Sequence, residues 1–352
     1  TDNLSLINDI RNTAYPVLLD RSGNVINRLD PADVTKNIDG SAADITNWQK
    51  QCMVRVGGFY VKYYYDAATN EKIWHLSPYP VRGYKYVRRR FLNMYGGYVH
   101  NDGVKNYLVS ISDRWTTQAR SLINYHEYAQ NLGATYRAIS TQDRELYRLY
   151  FWLLEGTFNS QSVLNGITGV NSTNWSTFSQ SANGGQTAYA QFHKTGVTNT
   201  ILGAKGEKTI PVPGFPAGDI SVKPYKWLWR ENMLSGPYWI WETGYMFLGN
   251  KVYRAKNLKS IVVNGITSAN ISTYYDYLFD MSSVSGYIME NYQDTLIPSA
   301  LGATDSVGMC DYLWRAAPVV DTTVYIPAGV GYAHSGSNLG VSCLNSNNGA
   351  SN

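Results

Sequence analysis

The sequence predicts an α+β fold, with two early helices packed on mostly antiparallel strands and long loops in the second half. Three observations lead to it. The stretch MVRVGGFYVKYYYD (53–66) is β-branched and aromatic with partial alternation, passes through the turn residues AATNEK, and resumes in IWHLS, the pattern of a β-hairpin. Two segments between residues 118 and 156 repeat apolar residues at helical spacing. Residues 157–226 are rich in Gly, Ser, Thr and Asn with few long apolar runs, a loop composition.

Taken in order, residues 1–50 are polar and punctuated by turn chemistry (DRSGN, RLDPAD, NIDGSA). They read as short strands and loops, an N-terminal attachment or oligomerisation segment ahead of a domain spanning 51–352. PYPVRGYKYVRRRFLNMYGGYVHNDG continues in strands and turns, with Arg88, Arg89 and Arg90 as a solvated face or strand edge. The first helix lies in QARSLINYHEYAQNLG. It sets Ala119, Leu122, Ile123, His126 and Ala129 on one face and ends at Gly133, with His126 read as a core histidine. The second, STQDRELYRLYFWLLEG, repeats Leu146, Leu149, Tyr150, Leu153 and Leu154; Ser140 and Asp143 form a capping box and Gly156 closes it. Leu149 and Leu153 are expected in the core. Strands return in PYWIWETGYMFLGNKVYRA, a hairpin turning at Gly-Asn, and in KSIVVNG, TTVYIP and NLGVSCL, with YYDYLFDM between them as an irregular stretch.

Composition narrows the function classes. Hydrophobic residues are 44% of the 352 and charged ones 16%, so the chain can bury a sizeable core. No apolar run reaches the ~18–20 residues of a membrane span, so no membrane insertion is expected. The opening TDNLSLINDI carries no basic-then-apolar signal and reads as the start of a mature chain. A net charge of +4 without a broad basic field gives no reason to expect nucleic acid. Cys52, Cys310 and Cys343 cannot make a full disulfide framework and include no C-x-x-C pair, which leaves buried thiols. His75, His100, His126, His193 and His334 lack metal-ligand spacing, and no metal or cofactor is expected.

The 29 Tyr and 10 Trp outnumber the 9 Phe, so most rings carry a polar handle. Such rings suit wet recognition surfaces, and equally the half-exposed faces of sheets. No nucleophile elbow, phosphate loop or zinc-protease motif is present. Glu155, Glu231 and Glu242 stand among rings, as glycoside hydrolysis would require. However, Glu155 ends an amphipathic helix and Glu242 alternates with Trp239 and Trp241 on a strand, which structural roles explain.

Nine stretches, in order, resemble one family: MVRVGGFYVKYYYD, WHLSPYPVRGY, FLNMYGGYVHN, LVSISDRWTT, INYHEYAQNLG, LYFWLLEGTFNSQSVLNGIT, GPYWIWETG, GMCDYLW and VGYAHSGSNLGVSCLNSNNGASN. The family is that of phage and prophage tail proteins with a C-type lectin fold of the formylglycine-generating-enzyme-like subclass, which includes tropism determinants diversified by retroelements. The resemblance spans about residues 50–352. It implies a C-type lectin-like fold and a virion protein on the phage tail or particle surface: a receptor-binding tail-tip or fibre adhesin acting without catalysis. Implied partners are a host cell-surface receptor (protein or glycan), other virion proteins, and copies of itself in a homo-oligomer such as a trimer. Matched residue by residue, the ligand-binding positions are Tyr332, His334, Ser335, Ser337, Asn338, Val341 and Cys343, carried on a scaffold that includes Asn345, Asn347 and Asn348.

The chain departs from the family pattern at Val330, Ala333 and Ser342, and the family's usual ending is absent after Asn352, so that either the sequence is cut short or this member lost its last strand. Cys310 and Cys343 stand too far apart for formylglycine-generating copper chemistry, and no calcium-lectin signature is present. A structural virion protein, such as a baseplate or head-decoration subunit, and a carbohydrate-active enzyme are the other readings.

Overall fold

The computed structural model describes residues 3–66, 68–69, 71–118, 120–164, 192–212, 220–234, 239–304, 309, 311–315, 322–330 and 340–349. The first half runs α1 (Asn3–Arg11), β1 (Tyr15–Leu19), β2 (Val25–Arg28), β3 (Gln51–Val56), β4 (Phe59–Asp66), β5 (Glu71–Ser77), β6 (Lys85–Val87), β7 (Arg90–Asn93), β8 (Tyr98–Asn101) and β9 (Asn106–Val109). Two longer helices come after them, α2 (Leu122–Leu132) and α3 (Thr141–Glu155). Short strands are next: β10 (Lys205–Glu207), β11 (Ile210–Val212), β12 (Ile220–Val222), β13 (Tyr225–Trp227), β14 (Arg230–Glu231) and β15 (Ile240–Trp241). The chain then builds β16 (Tyr245–Leu248), β17 (Lys251–Ala255), α4 (Ile271–Tyr274), β18 (Tyr275–Asp280), β19 (Gly286–Asn291), β20 (Pro298–Leu301), β21 (Tyr312–Arg315), β22 (Val324–Val330) and β23 (Gly340–Gly349).

Among the described residues two sheets dominate. A four-stranded sheet has the order β2-β1-β3-β7, and a nine-stranded sheet has the order β18-β17-β16-β22-β23-β21-β19-β20 with β15 paired to β22. β21 and β23 are parallel, and the other ladders of these two sheets are antiparallel. This is the α+β, mostly antiparallel architecture expected from the sequence.

Residues 1–50 do not pack apart from the rest of the chain. Ile10, Leu18, Leu29, Val34 and Ile45 share one core with Val54, Phe59, Tyr147, Tyr150, Phe151 and Trp227. β1 pairs along its whole length with β3, Tyr15 opposite Arg55 and Leu19 opposite Gln51, so residue 50 marks no break in packing. The sequence pattern also gave no sign of α1, whose Ile10 is 2% exposed.

The hairpin is present, but 53–66 is not one strand. β3 belongs to the four-stranded sheet, whereas β4 pairs with β5 and β6 in a separate three-stranded one. The break is Gly57-Gly58, both left-handed (φ 80° and 91°). A Cβ on Gly57 would also lie 2.5 Å from the Arg88 carbonyl oxygen, so only glycine fits this corner. The second expected hairpin, β16–β17, turns at Gly249-Asn250 as its sequence indicates.

KSIVVNG forms no strand. Ile261 and Val263 are nevertheless buried, and the Tyr275 hydroxyl donates to the Val262 carbonyl at 2.7 Å, so the apolar residues reach the core without a ladder. YYDYLFDM, expected to be irregular, supplies β18.

α3 sits where the two halves meet. Ser140 accepts from the Asp143 amide and Asp143 accepts from the Ser140 amide, the expected capping box, and Gly156 closes the helix in the left-handed region (φ 67°). Its buried residues include Leu146, Tyr147, Tyr150 and Phe151. Leu149 and Leu153, expected in the core, are half-buried, and Leu153 packs at the edge of that cluster. The tyrosines win because their rings reach into the first core while their hydroxyls still find partners. Tyr150 bonds Thr13 and receives the Gly57 amide, and Tyr147 donates to the Trp227 carbonyl.

Candidate ligand-binding site

β22 and β23 are central strands of the nine-stranded sheet. They pair antiparallel from Tyr325 opposite Gly349 to Val330 opposite Gly340. The connection between those last two residues is 331–339, and Tyr332, His334, Ser335, Ser337 and Asn338 all fall in it, outside the described residues. Val341 and Asn347 lie on β23, where their side chains are outside the described set.

Cys343 is a correction. It is 0% exposed, its sulfur is a free thiol, and burial pushes its ionisation far above the ordinary thiol value. A thiol in the core cannot be displayed to a ligand. The asparagines differ from expectation too. Asn345 and Asn348 are not holding a loop without ladders. They sit in β23, where Asn345 pairs opposite Ala328 on one side and Trp314 on the other. The Asn348 amide reaches Asn345 Oδ1 at 3.4 Å, and Asn345 is 6% exposed.

Beneath this strand pair lies a buried ion pair of which the sequence gave no sign. Arg144, from α3, donates through Nε and Nη2 to the Glu242 carboxylate, the latter at 3.1 Å. Its Nη1 donates to the Cys343 carbonyl at 2.8 Å. Thr141 Oγ1 donates to Glu242 Oε2 at 2.8 Å. The guanidinium thus ties α3 to β23, and both charged side chains are almost fully buried (3% and 1% exposed). β22 can cross this pair because residue 329 is glycine. A Cβ there would lie 2.5 Å from Glu242 Oε1 and 2.7 Å from Arg144 Cζ, with no room for either to withdraw.

The neighbouring carboxylate, Asp143, is held by Arg137 (2.7 Å), Arg90 (3.0 Å) and the Ser140 hydroxyl (2.8 Å). Burial works against its charge, but the two guanidiniums and the Ser140 amide overcome this and keep it well below the usual carboxylate range. Arg90, from the basic run, is therefore a half-buried structural residue, whereas Arg88 and Arg89 are exposed as expected.

A cavity of about 340 Å³ opens beside these groups. Its walls bring together β3 and β7 (Met53, Phe91), α2 (Tyr125, Ala129), the α2–α3 connection (Tyr136, Ile139) and β15 with the residue before it (Trp239, Trp241). Ile240 and Trp241 pair with Gly329 and Ala328, and Asn348 of β23 also lines the cavity, so the cavity adjoins the β22–β23 pair. Its polar wall groups are held in place by the fold. The Tyr125 hydroxyl donates to the Thr117 carbonyl (2.7 Å), the Tyr136 hydroxyl to the Asp20 carbonyl (2.5 Å) and the Trp241 indole to the Arg120 carbonyl (3.2 Å). The result is a rigid recess of ring edges and faces, of the size and polarity that small-molecule sites have. The alternating WIW of residues 239–241 was its one visible signal in the sequence, overshadowed by Glu242 in the same motif.

The three carboxylates considered for hydrolysis are each engaged separately. Glu155 accepts from Lys205 and the Trp227 indole, Glu231 from the Gly196 and Thr198 amides and the Thr198 hydroxyl, and Glu242 from Arg144. Cys52 is, like Cys343, a buried thiol, and Cys310 lies outside the described residues. His126 is 5% exposed, burial holding it below the ordinary imidazole value. Among the described residues no group of His, Cys, Asp and Glu could hold a metal ion, and no helix is long and apolar enough to cross a membrane. Compared with known proteins, the chain matches no family model and no curated protein sequence.

Proposed function

We propose that the chain is a bacteriophage virion protein, a receptor-binding adhesin of the tail tip or fibre that recognises the host cell surface without catalysis. The observation that carries this reading is topological. The five expected contact residues from Tyr332 to Asn338 all lie between Val330 and Gly340, the paired ends of two central strands. A short connection on a stem anchored by the Arg144–Glu242 pair can change its residues with little effect on the core, which is what a variable recognition loop needs. The ring-lined cavity beside the stem offers a second contact point, suited to a sugar or an aromatic side chain.

The test compares adsorption with melting. Replacing Tyr332 and His334 together by alanine is expected to leave the melting temperature unchanged while abolishing adsorption of particles to host cells. Normal adsorption by that variant would overturn the adhesin reading in favour of a structural virion subunit.

A further inference from the structure

A second polar centre lies one turn further along α3 from Arg144, outside the lining of the cavity. Arg148 is 0% exposed, and its Nη2 donates to the Thr295 carbonyl at 3.1 Å, whereas Nε and Nη1 have no partner. Its guanidinium lies over the Trp152 ring, 4.2 Å from the centroid. Trp152 meets Trp74 of β5 edge to face at 5.5 Å, and both indole N–H groups are buried without a partner. Two residues before Trp74, on the same face of β5, Lys72 donates to the Asn291 carbonyl at 2.9 Å and to Glu290 at 2.8 Å. Asn291 is 3% exposed, and neither its amide nitrogen nor its amide oxygen is bonded. Thr295, whose carbonyl receives Arg148, is in the turn that directly follows Asn291.

These contacts close a ring: Arg148, Trp152, Trp74, β5, Lys72, Asn291, the turn after it, and Arg148 again. Around it stand four side chains whose buried polar atoms are unbonded, and all but one of those atoms are donors. A single such group left unsatisfied costs about 1–3 kcal/mol, more when charged, so a cluster of them marks a place built to meet acceptors. Among the described residues no carboxylate lies within ion-pair distance of Arg148, and Glu145 and Asp294 act on it only from further off. Lys72 is the other cation in the ring, and it is already engaged by Glu290. A buried guanidinium flanked by N–H donors is the complement of a compact oxyanion.

We propose that Arg148, Asn291 and the indole N–H groups of Trp74 and Trp152 form an enclosed oxyanion site joining α3, the β4–β5 hairpin and the turn after Asn291. Occupied, it would tether the hairpin to the nine-stranded sheet through a bound phosphate or carboxylate group, a function separate from receptor recognition.

The test titrates the whole chain with inorganic phosphate, and separately with acetate, against sodium chloride at matched ionic strength, following the melting temperature and the heat of binding. The wild type is expected to show a saturable rise with at least one of the two anions, which also separates phosphate-like from carboxylate ligands. Trp74→Phe and Trp152→Phe keep the rings and remove one donor each. Each should weaken binding about tenfold or more, the loss of one charge-assisted hydrogen bond. Asn291→Asp places a negative charge in the ring and should abolish the saturable response. Should Asn291→Asp fail to fold, the two Trp→Phe variants decide. Identical responses of the wild type and both Trp→Phe variants, or no saturable response to either anion in the wild type, would mean that the ring holds water only and would overturn the proposal.

Discussion

The two sides of α3 hold the protein together by opposite means. One side carries Leu146, Tyr147, Tyr150 and Phe151 into a core shared with α1, β1, β3 and β13. The other carries Arg144 and Arg148 against the second half of the chain, where they meet Glu242, the Cys343 carbonyl and the Thr295 carbonyl. The apolar side gains from area removed from water, is tolerant of direction, and spreads its contribution over many rings. The charged side depends on a few directed bonds, and losing one partner leaves a buried charge exposed to the full cost of its desolvation. The first half therefore packs as an ordinary core, whereas α3 itself meets the sheet carrying the proposed recognition loop through a few directed bonds.

Arg144 is where the charged side should fail most severely. Arg144→Met leaves Glu242 buried without its cation and is expected to destabilise by about 3–5 kcal/mol. The double variant Arg144→Met with Glu242→Leu removes both charges and should recover part of that loss. Urea unfolding of the three proteins checks this. If the single variant loses less than about 1 kcal/mol, the pair is not structural and the two halves are joined by other contacts.

Legibility in the sequence divides along the same line. α3, its capping box and its glycine stop were legible because each is set by residues within four positions of one another. The β4–β5 and β16–β17 hairpins were legible for the same reason. The Arg144–Glu242 pair joins residues 98 positions apart, and nothing local distinguishes a buried arginine from the solvated ones usual on helices. The expected display of Cys343 failed because it was carried by a register against family motifs, and a one-residue alternation on a strand decides which face a side chain occupies. Trp239 and Trp241 were visible as strand residues, but that they line a cavity depends on α2 and β7 closing over them.

The apolar side admits a graded test. Leu146 is 4% exposed in the first core, and Leu146→Ala is expected to cost about 2–5 kcal/mol. Leu149, one turn further and half-buried, should lose less than about 1.5 kcal/mol on the same substitution because its neighbours and solvent can fill the space. Thermal or urea unfolding of both variants measures the difference. Equal losses would show that the helix is rotated from the orientation described.

A lesser change is expected on the border between the two sides, at Glu145. Its Oε1 accepts from the Leu296 amide at 2.8 Å and the Tyr245 hydroxyl at 3.2 Å. Burial pushes its carboxyl from the ordinary 4.5 up to about 7, more than the attraction of Arg148 and the Leu296 bond can pull it back. The folded protein therefore keeps a proton that the unfolded chain has given up at any pH between those values. Proton binding by the native state is then the greater, so stability from this residue is fully present below about 4.5 and is lost as pH rises through about 7. Because the side chain is partly exposed, the loss should be on the order of 1–2 kcal/mol rather than the full value of the shift. Glu145→Gln keeps an oxygen to accept the same two bonds and cannot ionise, so it should remove this slope. Urea unfolding at pH 5 and pH 8 reads it directly: the wild type should lose more stability between the two than the variant does. Equal losses would mean that Glu145 is already ionised at pH 5, its charge held by the Leu296 amide and the more distant attraction of Arg148.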